Sequence, residues 1–374
     1  MRSDKMSALR YHPGGSARGL LLRILILLWI LFSSGTASGS AFPTTQRARP
    51  LAAYSSLGLS PSEEPWLMPD PQVQALIDRV TPTLVYSYVA SLSGEQAVMI
   101  GNQLYTIFER NTFGGAGIQL ATRFAHERFA RTGLSTRDQV WYDVTNPNII
   151  AEQVGVWQPE RIFLITAHLD NKPDVSPGAP LAPGADDNAS GSTGVLIAAE
   201  ILSQFPCHHT LRYALFTGEE QGLLGSRAYV ASVIGEQIEG VLNLDMIGWE
   251  ADGYPEIDLY ARRGYPADAR IAQLFVQVVT EYSLDLTPEV LDTMITGSDH
   301  YSFWERGFPA ILAIEDKDDF NVYYHTPEDR LEHLDLDYLT NFIKASVGAL
   351  AHIACLASAE IYLPVMRKNI QFSR

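Results

Sequence analysis

Histidine and acidic side chains gather in five short blocks of this 374-residue chain. In chain order these residues are His168, Asp170, Asp186, Asp187, Glu219, Glu220, Asp245, His325 and Asp329. Imidazole nitrogens and carboxylate oxygens are ligands that zinc, a borderline cation, accepts in proteins. Two zinc ions, three carboxylates and a bridging hydroxide would together be neutral, and zinc lowers the pKa of bound water to about 7. The residue types therefore predict a two-metal site that activates water.

The adjacent pair Glu219 and Glu220 suits this chemistry, because one carboxylate can bind metal while its neighbour stays free to carry a proton. Each block alone also has an ordinary explanation, such as a turn for the block at 184–188 or a helix start for the block at 325–329. Five blocks of the same chemistry favour one shared site. Spacing along the chain leaves Asp186 and Asp187 as equal candidates for the ligand that both metals share.

Short apolar strands alternate with amphipathic helices and must position these blocks. Strands are predicted at residues 161–170, 211–220, 240–249 and 309–315, and helices at 192–205, 223–234, 270–284 and 336–358. Such alternation indicates an α/β fold with a mixed, mostly parallel central sheet and helices on both faces. Ligands bind such sheets at the carboxyl ends of the strands. All five blocks fall at strand ends or in adjoining loops, so we expect them to meet at one edge.

The sequence also predicts four segments. Basic residues precede an apolar run at 19–32 and small residues follow it, which is the layout of a secretory signal. An uncleaved N-terminal membrane anchor is the alternative for residues 1–41. Residues 42–70 contain five prolines and predict a linker or pro-like segment. Residues 71–358 form the predicted catalytic domain and residues 359–374 an irregular tail, and the leader predicts a secreted or extracytoplasmic protein.

Composition narrows the class of partner. The formal net charge is −16 and hydrophobic residues make up 46% of the chain, enough to bury a sizeable core. The acidic balance disfavours nucleic acid as a partner, since phosphate binding needs a basic surface. The two cysteines, Cys207 and Cys355, could pair in an exported protein, but they are too few to form a disulfide scaffold.

Six ordered blocks resemble the co-catalytic zinc exopeptidases, a family that includes secreted bacterial leucyl aminopeptidases. The blocks are AHLD, PGADDNASG, TGEEQGLLGS, LNLDMIG, GSDHYSFWERGFPAI and YYHTPED. The resemblance covers roughly residues 75–355 and implies the α/β/α sandwich of zinc exopeptidases, which is phosphorylase/hydrolase-like. It also implies hydrolysis of the N-terminal peptide bond, with peptide or protein N-termini as substrates.

The same resemblance implies a ligand set for two zinc ions per chain. The implied ligands are His168 and Asp245 for one ion, Glu220 and His325 for the other, and Asp187 for both. The family places its shared Asp two or three residues before a Ser-Gly step, which here is Ser190–Gly191 and selects Asp187. The peptide bond from this Asp to Asn188 is implied to be cis.

Further roles concern proton transfer and support. Glu219 looks like the general base and acid that takes a proton from water and returns it to the leaving amine. Tyr324 looks like the tyrosine with which some family members stabilise the oxyanion, and its alternative is a packed aromatic ring. We expect Asp170 to accept the second ring proton of His168 and fix its tautomer, and Asp329 to act likewise near the second histidine.

Other activities on the same fold stay open from the sequence. A glutaminyl-peptide cyclase keeps much of the same ligand set, and a carboxypeptidase or dipeptidase would differ only in the terminus it recognises. A non-catalytic binding or receptor protein is the alternative outside enzymes. The complete set of ligands argues against it, because such relatives lose ligands. Membrane contact is expected only through an uncleaved N-terminal anchor.

Overall fold

A mixed sheet forms the centre of the fold in the computed structural model, which describes residues 67–142, 144–172 and 182–356. In chain order the strands are β1 (Val98–Ile100), β2 (Gln103–Tyr105), β3 (Ser135–Gln139), β4 (Asn148–Gln153), β5 (Gln158–His168), β6 (His209–Phe216), β7 (Gln237–Leu244), β8 (Glu256–Ala261), β9 (Thr287–Asp292) and β10 (Ile311–Glu315). β1 and β2 form a hairpin, and the other eight strands pair in the order β3-β4-β6-β5-β7-β10-β8-β9. The pairs β6–β5, β5–β7, β7–β10 and β8–β9 are parallel and the others antiparallel. The predicted mixed, mostly parallel sheet is confirmed.

Helices cover both faces of this sheet, as predicted. In chain order they are α1 (Pro71–Ile77), α2 (Pro82–Leu92), α3 (Ala116–Arg131), α4 (Gly191–Leu202), α5 (Leu224–Ser232), α6 (Pro266–Glu281), α7 (His300–Glu305) and α8 (Leu336–Leu350). Successive side chains of a strand point to opposite faces. Phe163 and Ile165 of β5 therefore join the core under α3, α4, α6 and α8, while Ile162 and Leu164 join the core under α5 and α7.

Three adjacent parallel strands end at one edge of the sheet and position the predicted site. His168, the last residue of β5, pairs with Phe216 at the end of β6, and Thr166 pairs with Asn243 near the end of β7. The residues that follow β6 and β7 include Glu219 and Asp245, so the register brings both to the same edge as His168. This is the edge at which parallel sheets bind ligands.

The N-terminal boundary of the described fold lies within the predicted linker. Leu67 is buried, and the Asp70 side chain accepts hydrogen bonds from the first turn of α1, where Pro71 takes the favoured first position. The predicted leader at 1–41 and tail at 359–374 lie outside the described residues. Within the described ranges, no helix is long and apolar enough to cross a membrane.

A disulfide joins Cys207 to Cys355, which the sequence had left open. Cys207 precedes β6, and Cys355 ends the irregular turn that follows α8. Both residues are buried. The bond therefore ties the last described helix to a central strand across 148 residues of chain.

Removal of this disulfide should destabilise the fold. A cross-link that closes a long loop restricts the unfolded chain, and loss of a native disulfide typically costs about 2 to 5 kcal/mol. We expect the double variant Cys207→Ser/Cys355→Ser to melt several degrees below the wild type by circular dichroism. Dithiothreitol should lower the melting temperature of the wild type and leave that of the variant unchanged; equal melting temperatures for oxidised wild type and variant would contradict this.

Candidate metal centre

His168 stands at the end of β5, and its ring is only 2% exposed. Its Nε2 lies 3.2 Å from Oδ1 of Asp187 and 3.2 Å from Oδ1 of Asp245. Its Nδ1 lies 3.0 Å from the main-chain oxygen of Asp170, an acceptor that fixes the proton on Nδ1. Nε2 is thus the nitrogen that faces the two carboxylates, and we name His168, Asp187 and Asp245 the His168 set.

His325 lies in the loop after β10 and faces the other side of the same carboxylate. Its Nε2 is 3.2 Å from Oδ2 of Asp187 and 3.1 Å from Oε2 of Glu220. The Glu220 side chain is only 5% exposed and follows the turn that ends β6. We name His325, Asp187 and Glu220 the His325 set.

Asp187 belongs to both sets, with one oxygen facing each imidazole. Its neighbour Asp186 points away from them. Oδ1 of Asp186 accepts a hydrogen bond from the main-chain N–H of Gly248, and Oδ2 accepts one from the Asn321 amide. The geometry therefore distinguishes two acids that spacing along the chain could not.

The spacing of the ligand atoms fits zinc. In a tetrahedral site with zinc–ligand distances of about 2.0 Å, the ligand atoms lie about 3.3 Å apart. The four imidazole–carboxylate separations of the two sets are 3.1 to 3.2 Å. Nε2 of His325 and Oε1 of Glu220 are buried, and neither has a hydrogen-bond partner among the described residues. In the His325 set these two buried polar atoms are therefore free to bind an ion, whereas Nε2 of His168 is hydrogen-bonded to Asp245.

The carboxylates of the two sets raise the pKa of both imidazoles, and protonated imidazoles offset part of the negative charge. Burial lowers the pKa of His168, but the charges of Asp245 and Glu219 and the hydrogen bonds with Asp187 and Asp245 together raise that pKa well above its usual value. Burial also disfavours the charged form of His325, yet Asp187 and Glu220 raise its pKa to about 9. Burial and the charge of Asp187 raise the pKa of Glu220 to about 7. A divalent cation would displace the imidazole protons and stabilise the carboxylates, so binding would release protons.

The segment Ala185–Ser190 forms the irregular turn that carries Asp187 into α4. The Asp187–Asn188 peptide bond is cis, as the resemblance implied. The Asn188 side chain donates to the main-chain oxygen of Leu244 and accepts from the N–H of Gly191. A Cβ at Gly191 would lie 2.4 Å from Oδ1 of Asn188 and 2.7 Å from that Leu244 oxygen. Glycine is therefore needed at position 191, because the turn packs directly against the end of β7.

The expected role of Asp329 beside His325 is wrong. Both of its carboxylate oxygens instead accept main-chain hydrogen bonds, one from Asp186 at 2.8 Å and one from Asp187 at 3.0 Å. Its own main-chain oxygen accepts from the N–H of Ala185. The reason is that an acceptor is needed for the N–H groups of the turn, so Asp329 supports the shared carboxylate rather than the imidazole.

The expected contact of Asp170 with His168 is also corrected. The Asp170 carboxylate lies 3.8 Å from Nδ1 of His168, farther than its main-chain oxygen at 3.0 Å. Its side chain is fully buried and accepts from Oγ1 of Thr112 at 2.8 Å and from the N–H of Glu219 at 3.3 Å. Asp170 therefore orients His168 through its main-chain oxygen, while its carboxylate holds the turn at Glu219 by accepting from the Glu219 N–H.

Asp245 is held by a chain of buried hydrogen bonds that the sequence reasoning missed. Oγ of Ser298 donates to Oδ2 of Asp245 at 2.5 Å, and the Asn243 amide donates to the same Oγ at 2.8 Å. Oγ1 of Thr166 donates in turn to Oδ1 of Asn243 at 2.7 Å. The polar Thr and Asn inside otherwise apolar strands were the signal that could have revealed this chain.

Glu219 lies beside the two sets and is in neither. Burial and the nearby carboxylate of Asp299 raise the pKa of Glu219 well above its usual value, although His168 acts in the opposite direction. Tyr324 is 40% exposed, and its ring stacks on His325 with centroids 3.7 Å apart. Burial raises the pKa of Tyr324 above its usual value, so its hydroxyl stays protonated at neutral pH. The tyrosine is therefore a stacked ring that remains partly exposed.

Comparison with known sequences gives consistent matches. The model described as Peptidase family M28 matches residues 148–349. Leucine aminopeptidase 1 of Trichophyton rubrum is 31% identical over 208 residues, which cover 52% of this chain and 55% of that protein. Leucine aminopeptidase 1 of Arthroderma otae is 32% identical over 288 residues, which cover 72% of this chain and 76% of that protein. The chain spans little more than half the length of the first curated relatives it matches.

Comparison with solved structures concerns the fold. The LapA aminopeptidase of Legionella pneumophila superposes with a TM-score of 0.63 at 18% identity, covering 78% of this chain and 76% of that one. A Bacteroides thetaiotaomicron glutaminyl cyclase bound to N-acetylhistamine superposes with a TM-score of 0.56 at 18% identity, covering 72% of this chain and 97% of that one. At these identities the likeness shows a shared fold and does not choose between the two activities.

Proposed function

Since this chain belongs to peptidase family M28, we propose that it is a zinc-dependent exopeptidase, specifically an aminopeptidase that hydrolyses the N-terminal peptide bond. The observation that carries this proposal is the pair of ligand sets that share the carboxylate of Asp187. The two leucine aminopeptidases described above support the choice of an aminopeptidase.

The two sets would hold one zinc ion each. Each offers one imidazole and two carboxylate groups, so each leaves a coordination position for water or substrate, as catalytic zinc sites do. When bound, zinc would supply Lewis acidity, which polarises the scissile carbonyl and lowers the pKa of water. A relative from Pyrenophora teres with the name probable zinc metalloprotease, 25% identical over 277 residues, supports the choice of metal.

Glu219 would carry the proton during hydrolysis. Its raised pKa is what a group needs in order to accept a proton from the attacking water and return it to the leaving amine. The buried carboxylate of Asp170 accepts from the Glu219 N–H and so helps to fix the turn on which Glu219 sits. The Tyr324 hydroxyl would donate to the carbonyl oxygen as that oxygen gains negative charge.

The protein would act outside the cytoplasm on peptides or proteins with free N-termini. The disulfide between Cys207 and Cys355 supports an oxidising compartment, where such bonds persist. The signal-like leader at 1–41 supports export, with the uncleaved anchor as its alternative. Neither feature bears on the chemistry of the site.

A substrate panel tests the activity. We expect the purified protein to hydrolyse leucine p-nitroanilide and a leucyl peptide, and to leave the N-acetylated forms intact. 1,10-Phenanthroline should abolish the activity and added zinc should restore it. A C-terminally amidated peptide should still be cleaved, because only the N-terminus is recognised.

The same panel separates the alternatives. Cyclisation of an N-terminal glutamine without hydrolysis of the leucyl substrates would identify a glutaminyl cyclase. Dependence on a free C-terminus would identify a carboxypeptidase, and zinc binding without turnover of any substrate would favour a binding protein. Hydrolysis that persists in full with the chelator would contradict a metal-dependent mechanism.

A further inference from the structure

Arg110 is the buried charge that the proposed chemistry does not use. Its side chain is 0% exposed and belongs to neither ligand set. Across the described ranges, every recorded side-chain hydrogen bond of Arg110 goes to a main-chain carbonyl oxygen rather than to a carboxylate. A buried guanidinium without a carboxylate in direct contact is costly, so its donors need these particular acceptors.

Four hydrogen bonds spread the guanidinium across three separate segments. Nε donates to the oxygen of Leu169 at 2.8 Å, and Nη2 donates to the oxygen of Gly184 at 2.7 Å. Nη1 donates to the oxygen of Leu92 at 2.6 Å and to that of Pro183 at 2.8 Å. One planar group therefore joins the end of α2, the chain after β5 and the start of the turn before α4.

Two of these segments carry ligands of the metal sets. Leu169 directly follows His168, and Gly184 lies three residues before Asp187. Nε2 of His168 and Oδ1 of Asp187 must stay 3.2 Å apart for one ion to contact both. The guanidinium joins the backbones just beside these two ligands, so it determines how far apart they can move.

We propose that Arg110 is a positioning residue for zinc, which fixes the separation of His168 and Asp187 before metal binds. This inference rests on the proposed zinc function and assigns a further residue to it. The rigid fork of arginine can donate in several fixed directions at once, whereas lysine offers a single ammonium on a flexible stem. Burial lowers the pKa of Arg110, and the negative charges of Asp329 and Asp187 partly offset this by favouring the charged guanidinium.

Asn171 holds the main chain of Arg110 in place, whereas the bonds described above involve its side chain. Its Oδ1 accepts from the N–H of Arg110 at 2.9 Å, and its amide donates to the oxygen of Ala182 at 2.8 Å. It is 1% exposed and contacts neither ligand set directly in the recorded hydrogen bonds of the described chain. Replacing Asn171 by alanine therefore removes these two hydrogen bonds without leaving a cavity the size of an arginine.

The test compares zinc affinity with stability. Apparent dissociation constants for zinc would be measured against a competing chelator, together with melting temperatures with and without zinc, for Arg110→Lys, Arg110→Gln and Asn171→Ala. We expect zinc to bind about 10- to 100-fold more weakly to Arg110→Lys and Arg110→Gln, with a smaller loss in Asn171→Ala. The rise in melting temperature that zinc produces should shrink in the same order.

Arg212→Lys is the matched control. Arg212 is also largely buried and pairs with Glu152 and Glu236 in the first half of β6, away from the ligand sets at its carboxyl end. Its replacement should lower the melting temperature equally with and without zinc and leave zinc affinity unchanged. Lysine at position 110 should not restore zinc affinity, because the planar guanidinium with its several donors is needed as well as the positive charge.

The outcomes separate the inference from the proposed function. Wild-type zinc affinity in a folded Arg110→Lys or Arg110→Gln variant would overturn the role of Arg110. If neither variant folds, wild-type affinity in Asn171→Ala would overturn it, and weakened affinity there would support it. A wild-type protein that binds no zinc would refute the proposed function and this inference together.

Discussion

Glu219→Gln should lower kcat by about 10²- to 10⁴-fold while both zinc ions stay bound. Glutamine keeps the size and a hydrogen-bonding oxygen but cannot accept a proton from water and return it to an amine. Glu219 stands outside both ligand sets, so its replacement removes no metal ligand. KM should change little, since the lost interaction acts during proton transfer. Initial rates with leucine p-nitroanilide and zinc content by mass spectrometry measure both effects.

Glu220→Gln is the matched control for this prediction. The same replacement of a carboxylate oxygen by an amide nitrogen is made at the adjacent residue, but here it removes a negative charge from the His325 set. We expect it to lose one of two zinc ions and activity together. Full activity in Glu219→Gln, or loss of zinc from it, would contradict the assignment of the free carboxylate to Glu219.

Asp187→Ala should remove both zinc ions and all measurable hydrolysis. Each oxygen of Asp187 faces a different imidazole, so one truncation takes a ligand from both sets. It also removes the negative charge between His168 and His325, which helps to raise the pKa of both imidazoles. We expect zinc to give this variant little or no rise in melting temperature.

Single-set variants provide the comparison for Asp187→Ala. Asp245→Ala and Glu220→Ala each remove a ligand from one set only. We expect each to keep about one zinc ion per chain, whereas Asp187→Ala keeps none under the same dialysis. Two tightly bound zinc ions in Asp187→Ala would refute the shared ligand.

The central fold could be predicted because its parallel strands are buried on both faces. Such strands are continuous apolar runs between amphipathic helices, as at β5 and β7. Strands β3, β4, β8 and β9 were not predicted. β3 and β9 are short, partly exposed and rich in polar residues, whereas β4 and β8 are short but largely buried. β3 pairs with β4, the next strand along the chain, and β9 pairs with β8, from which only α6 separates it.

The candidate site was partly readable for a related reason. Ligand residues sit at strand ends, so their chain order and residue types already indicate a shared edge. Supporting contacts were less predictable: Asp329 was expected beside an imidazole, but it accepts from the N–H groups of the turn at Asp186 and Asp187. A carboxylate accepts from any nearby donor, so its partner is decided by three-dimensional packing.

The contacts of Arg110 could not be predicted from the sequence either. It lies in the stretch ERNTFGGAG, for which the sequence predicts no role. Its acceptors, the main-chain oxygens of Leu92, Leu169 and Gly184, are 18 to 74 residues away in the chain. Buried polar groups that bind main-chain atoms leave no sequence motif, because every residue offers the same carbonyl acceptor.

Anomalous diffraction at the zinc absorption edge from crystals of the zinc-loaded protein tests the central claim most directly. We expect two peaks about 3.5 to 4 Å apart, one on each side of the Asp187 carboxylate. One peak should lie beside His168 and Asp245, and the other beside His325 and Glu220. A single peak, or two peaks that do not both contact Asp187, would contradict the account.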